Sequence, residues 1–158
     1  VTNNRYPLRI NVGFLLNQPV GTSRDIHFEL PEYRFTTDFE VRNLVGVSKI
    51  TRTPQGMLVQ AEFDGEAKAE CVRCLTEFWQ PLNTNFDELY AFNKRGVTES
   101  GLILPEDANI DLAPLVREYL LIETPISPIC RTDCKGLCLE CGEDLNTRDC
   151  GHNRAINY

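Results

Sequence analysis

The run Cys130-Arg-Thr-Asp-Cys134-Lys-Gly-Leu-Cys138-Leu-Glu-Cys141-Gly142 decides how this chain is read. Upstream stands Cys71-Val-Arg-Cys74, and downstream Cys150-Gly-His152. Two C-x2-C units, one C-x3-C and one C-x-H supply eight potential ligands, enough for two four-coordinate sites. Zn2+ is the expected metal, as one or two ions: it is redox-inert and takes four sulfur or nitrogen donors tetrahedrally, with thiolates at about 2.3 Å. C-x2-C suits it because a tight turn aims both sulfurs at one point. A glycine behind the second cysteine, as at Gly142, relieves crowding where the backbone folds back toward the sulfurs.

Two pairings are open. In one, Cys71, Cys74, Cys130 and Cys134 share an ion, and Cys138, Cys141, Cys150 and His152 hold a second, sequence-local one. In the other, Cys130, Cys134, Cys138 and Cys141 share an ion, leaving Cys71 and Cys74 with Cys150 and His152. Four ligands within twelve residues leave little room for a tetrahedron, which favours the first.

Other uses of these residues have their own requirements. Seven cysteines is an odd number, so a purely intramolecular disulfide framework leaves one over. A redox C-x2-C is expected to open a helix after a βαβ pattern, and Cys71–Cys74 does not. Sets of four cysteines also hold iron–sulfur clusters. A catalytic zinc keeps an open coordination position, whereas these sets look closed. His27-Phe28-Glu29 matches half of a zinc-deaminase signature, but Glu70 stands where that motif has proline before its cysteine pair. His27 is therefore read as an ordinary strand or loop residue.

Sixteen Lys and Arg stand against 23 Asp and Glu in 158 residues, a net charge of −7. Such a chain is a poor generic binder of nucleic acid, because non-specific affinity comes from basic side chains that displace counterions. The excess is concentrated in 76–125, with nine acids and three bases, and this acidic region is the candidate partner-facing surface. The remainder is nearly neutral, and Arg34, Arg42, Lys49 and Arg52 are candidates for phosphate contact. With no stretch of about 18 apolar residues, no membrane span is expected. No basic segment feeding an apolar one is seen at residues 1–20, so a cytoplasmic, reducing location is expected.

Residues 8–14 alternate apolar and polar as a half-buried strand. Ile26, Phe28 and Leu30 alternate up to Pro31. A longer run over 39–51 is interrupted near Asn43 or Gly46. Met57, Val59, Ala61 and Phe63 lead to Asp64-Gly65, a hairpin dipeptide. Ala67, Ala69 and Cys71 follow, with the first cysteine pair at the next turn, then an extended run over 76–92. Leu112, Leu115, Val116, Tyr119 and Leu120 sit at helical spacing, with Asp111 as cap and Pro114 tolerated in the first turn. Tyr119 is read as a core residue.

The expected fold class is α+β, mostly β: an antiparallel meander or partly closed barrel, one packed C-terminal helix and a Cys-rich zinc tail. The expected organisation is a β domain over 1–92 carrying the first knuckle, an acidic flexible loop over 93–110, a helix over 111–124, and a zinc-binding tail over 125–158 packed on the β domain. No phosphate-cradling glycine loop, Ser/His/Asp set or paired carboxylates stand out, so no catalytic residues are assigned.

Ala-Glu-Cys71-Val-Arg-Cys74-Leu75-Thr-Glu-Phe78, followed by a helix and then by Cys130-x3-Cys134-Lys-Gly-Leu-Cys138-x2-Cys141-Gly-x-Asp144-Leu145-Asn146, resembles the YceD family of large-subunit ribosomal RNA accumulation proteins. The resemblance covers nearly the whole chain and is most specific from Gly136 to Asn146. It implies a bacterial or plastid compartment and a non-catalytic role in 23S rRNA accumulation or processing and 50S subunit assembly. Implied partners are a pre-50S particle, a ribosomal protein or an assembly factor, with rRNA contact open and no membrane or small-molecule substrate. Cys150-Gly-His152 departs from the C-x-C ending common in such proteins, which makes His152 the least secure ligand. The competing classes are a zinc or thiol redox enzyme and a generic structural-zinc adaptor.

Overall fold

Alternating apolar and polar residues build four long strands, β2 (Ser23–Thr36), β3 (Phe39–Arg52), β4 (Gly56–Glu70) and β5 (Glu77–Ala91), hydrogen-bonded in the order β2-β3-β4-β5. The computed structural model describes residues 5–152. A short β1 (Arg9–Asn11) pairs antiparallel with β6 (Asn109–Asp111), placing Ile10 opposite Ile110. A one-turn helix α1 (Gly13–Leu16) follows β1, and α2 (Ala113–Glu123) follows β6. The protein is thus mostly β, with antiparallel sheets and one main helix. Strands β2 and β5 remain sheet edges, so among the described residues the sheet is open and the barrel alternative is not realised. No helix of the described residues is long and apolar enough to cross a membrane.

The chain divides into two compact units: Val1–Ala67 with Pro81–Glu123, and Lys68–Gln80 with Thr124–Tyr158. The first holds the main core, in which Ile10, Leu44, Ile50, Met57, Phe63, Ile110 and Leu120 are fully buried. Full burial of one such side chain contributes roughly 1.5–3 kcal/mol. In α2, Leu115, Val116 and Leu120 point inward, and Tyr119 stacks on Phe86 of β5 with ring centroids 4.7 Å apart. The Tyr119 hydroxyl donates to Glu88 Oε1 at 2.6 Å, so this tyrosine is both packed and anchored. The Asp111 carboxylate accepts the Ala113 N–H at 3.0 Å, which starts the helix.

Three expectations are corrected. Asp64-Gly65 is not a hairpin; β4 runs straight through it. Arg42 pairs with Glu66 and Val45 with Asp64, so Asn43 and Leu44 lie opposite Gly65 alone, a bulge with Asn43 at φ 50°. A Cβ on Gly65 would come within 2.8 Å of Val41 Cγ1, so glycine serves close packing here and not a turn. Similarly, β2 does not stop at Pro31. The ladder passes from Leu30–Leu44 to Glu32–Arg42, and on an edge strand opposite a bulge the missing N–H costs little. Finally, the 8–14 strand is only three residues long, because the Asn11 side chain accepts the Gly13 N–H at 3.0 Å and turns the chain into α1. Residues 93–110 carry more backbone pairing than their composition suggests. Leu104 donates to the Ala91 carbonyl at 2.8 Å, and the segment ends in β6.

Candidate metal centres

The second unit is organised by two reversals with the same backbone wrap. In the first, between β4 and β5, the Cys71 N–H donates to the Thr76 carbonyl (3.0 Å) and the Leu75 N–H returns to the Cys71 carbonyl (2.9 Å). In the second, the Cys138 N–H donates to the Glu143 carbonyl (2.8 Å) and the Gly142 N–H returns to the Cys138 carbonyl (2.7 Å). The fourth residue after the leading cysteine is left-handed in both, at φ 61° for Leu75 and 77° for Gly142. Glycine adopts that conformation freely, whereas a side chain costs about 1–2 kcal/mol there. The sequence around Cys71 hides this equivalence because it lacks the glycine.

The fold brings all eight predicted residues into two groups, and described residues form no other His, Cys, Asp and Glu group of this kind. The donor atoms of Cys71, Cys74, Cys130 and Cys134 lie within 4.8 Å of one another, and so do those of Cys138, Cys141, Cys150 and His152. Cys71 and Cys134 sulfurs are 3.8 Å apart, and Cys74 and Cys130 sulfurs 3.7 Å. A tetrahedron of thiolates around one zinc has sulfur–sulfur edges of roughly 3.8 Å, given bonds of about 2.3 Å. All seven cysteines are free thiols. Both groups can therefore hold a metal ion.

The groups differ in surroundings. Cys71, Cys74 and Cys134 are buried and packed with Phe78, Ile129 and Leu137. In the second group Cys138 is buried, Cys150 half-buried, and Cys141 and His152 exposed. His152 turns Nδ1 inward, 3.2 Å from Cys150 Sγ and 3.7 Å from Cys138 Sγ, while Nε2 stands 3.6 Å from a Glu140 carboxylate oxygen. A carboxylate beside the outer nitrogen favours the tautomer that leaves Nδ1 free to bind metal.

The thiols of each group perturb one another. Burial pushes the Cys71 thiol up, but the backbone N–H groups of Cys74, Cys130 and Arg73 outweigh it and bring its pKa down to about 6. Cys130 is driven up to about 12, by burial and then by the thiols of Cys134, Cys74 and Cys71. Cys138 falls to about 6 because the Cys141 N–H, helped by that of Glu140, overcomes burial. Cys150 rises although the His152 backbone opposes this, because burial and the neighbouring Cys138 and Cys141 prevail. In each group one sulfur is eased toward the thiolate and a neighbouring one is held back, the effect of like charges crowded together.

Three residues near these sites were not among the ligand candidates. Arg73 donates to the Cys134 carbonyl at 3.2 Å, Glu140 stands beside His152, and Asn146 Nδ2 lies 3.3 Å from Cys134 Sγ. Of these only Asn146 belongs to the stretch that carries the family resemblance; it closes a side-chain turn in which its N–H donates to the Asp144 carboxylate at 2.9 Å.

The four basic candidates lie on the first unit. Arg34 pairs with Glu40 at 3.2 Å and Arg42 with Glu66 at 2.7 Å. Arg52 donates to the Gln18 carbonyl at 2.7 Å and lies over the Phe92 ring at 5.6 Å. Lys49 is exposed and lines an open groove with Asp25, Glu62 and Asp87. Arg34 and Arg52 sit near opposite ends of the β2–β3 ladder, so the four do not converge. His27 is exposed on β2, opposite Val47, as a strand residue.

The family described as large ribosomal RNA subunit accumulation protein YceD matches residues 59–157. The match begins inside β4, so β1, β2 and β3 lie outside it, a narrower span than the resemblance over nearly the whole chain expected. An uncharacterized protein of Mycobacterium leprae is 32% identical over 101 residues, covering 61% of this chain and 46% of that protein. A chloroplastic protein of Arabidopsis thaliana, named large ribosomal RNA subunit accumulation protein YCED homolog 1, is 42% identical over 50 residues, covering 32% of this chain and 16% of its own length. Bacillus subtilis YlbN is 30% identical over 79 residues, covering 47% of this chain and 46% of that protein. The chain spans about half the length of the mycobacterial relatives it matches. No solved structure matches it. Both reversals and α2 fall within the matched residues, and the chain belongs to the YceD family.

Proposed function

We propose that this protein is a non-catalytic, zinc-stabilised factor for 23S rRNA accumulation and 50S subunit assembly, holding one Zn2+ on each cysteine group and working in a cytosolic compartment. The observation that carries the reading is the pair of complete four-donor sets, in a chain of this family. Four protein donors saturate a tetrahedral ion, whereas metal-dependent hydrolysis or deamination needs a position left for water. Thiol exchange needs an accessible sulfur, and Cys71, with its pKa of about 6, is fully buried.

The partner on the pre-50S particle is a basic ribosomal protein or an assembly factor, not bare rRNA. What supports this is charge placement. Arg34 and Arg42 are already paired with carboxylates, and the exposed sheet face around Lys49 presents Asp25, Glu62 and Asp87.

Sucrose-gradient profiles of cells lacking the protein test the function. A shortage of 50S particles with accumulated precursor 23S rRNA is expected, and a profile identical to the parent strain overturns the reading. Elemental analysis of reduced protein tests the metal, with two zinc ions per chain expected.

A further inference from the structure

Asn146 lies beyond the second reversal, yet its side chain ends at the first metal group. Its amide is held by three partners. Oδ1 accepts the Lys135 N–H at 2.8 Å, while Nδ2 donates to Asp144 Oδ1 at 2.9 Å and faces Cys134 Sγ at 3.3 Å. A backbone donor on one side and a carboxylate on the other fix which end of the amide is which, so an N–H is aimed at the sulfur. The position of Asn146 is in turn set by the second reversal. The Cys138 N–H bonds the Glu143 carbonyl, Leu137 bridges Asp144, and the Leu145 N–H bonds the Gly136 carbonyl at 3.0 Å.

We propose that Asn146 is a positioning residue that couples the two metal groups: the strand leaving the second group delivers a hydrogen bond to a thiolate of the first, so metal retention at Cys71, Cys74, Cys130 and Cys134 depends on the second group being formed. The inference rests on the reading that both groups hold metal. The chemistry is direct. A thiolate that accepts an N–H bond carries less charge onto the metal and is protonated less readily, and losing such an outer partner typically costs about 10–100-fold in metal affinity.

The probe is cobalt(II) bound to the full-length protein, because four-sulfur and three-sulfur-one-nitrogen sites have different visible absorption and are followed separately. Chelator-driven cobalt loss is measured for the wild type, Asn146→Ala and Asn146→Asp. Asn146→Asp retains the oxygen that accepts the Lys135 N–H but replaces the donor facing Cys134 with a carboxylate oxygen. Both variants are expected to lose cobalt from the four-sulfur site about tenfold faster or more, with the other site unchanged in Asn146→Asp. Cys141→Ser is expected to speed loss from the four-sulfur site in the wild-type background and to add nothing in Asn146→Ala. If Asn146→Asp keeps its cobalt as the wild type does, or if Cys141→Ser and Asn146→Ala act additively, the coupling is overturned while the metal sites stand. A wild type that takes up no cobalt at either group overturns the metal reading and the coupling together.

Discussion

The two cysteine groups share one backbone wrap and differ in almost everything around it. The first joins Cys71 and Cys74 to Cys130 and Cys134, across more than fifty residues that include β5 and α2. The second is assembled from Cys138 to His152 alone. Treated as cross-links, their loop lengths differ in effect by little, about 4 kcal/mol for the long loop against about 3 for the short one. Burial separates them more. The sulfurs of Cys71, Cys74 and Cys134 are covered and packed against Phe78, Ile129 and Leu137, whereas Cys141 and His152 meet solvent. The lesson is that one local backbone turn can present its cysteines either to a distant segment or to its own tail, according to what surrounds it.

Four substitutions would break or sharpen that contrast. The largest effect is expected from Cys74→Ser, which removes a buried ligand of the first group. It should lose one equivalent of bound metal and roughly 2–5 kcal/mol of stability, the scale of a lost structural cross-link, read by elemental analysis and denaturant titration. Cys150→Ser should also lose one equivalent, but with a smaller change in global stability than Cys74→Ser, because its group is local to the tail and more exposed. An equal loss in the two variants would erase the distinction between the two groups.

Smaller effects should come from the left-handed positions. Gly142→Ala places a Cβ at φ 77° and should cost about 1 kcal/mol, seen as weaker metal retention that is largest in the second group. Leu75→Gly should act in the opposite direction, gaining up to about 1 kcal/mol by relieving the exposed leucine of φ 61°. If chemical denaturation shows Leu75→Gly destabilised instead, the leucine has a packing role that the shared wrap does not explain.

Helix α2 was legible because its apolar spacing, its proline in the first turn and its Asp111 cap are all properties of neighbouring residues. Gly65 and Pro31 were misread for the complementary reason. An Asp-Gly pair and a strand proline each have a local default, and each was overridden by a strand across the ladder, where the bulge at Asn43 needs a missing side chain on one side and tolerates a missing N–H on the other. Arg34 and Arg42 were candidates for phosphate contact in the linear chain, and cross-strand carboxylates on Glu40 and Glu66 pair with them. The reach of Asn146 to Cys134 had no counterpart in spacing at all.

The sequence by itself determined which residues are ligand-like and that they come in turn-sized pairs, because C-x2-C geometry is settled within a few bonds. It also determined the acidic balance and the preponderance of extended chain. Only the tertiary structure decided which pairs meet, how deeply each group is buried, and which neighbours orient the sulfurs. Those outcomes depend on contacts between segments far apart in the chain, and their energies appear only when those segments have found one another.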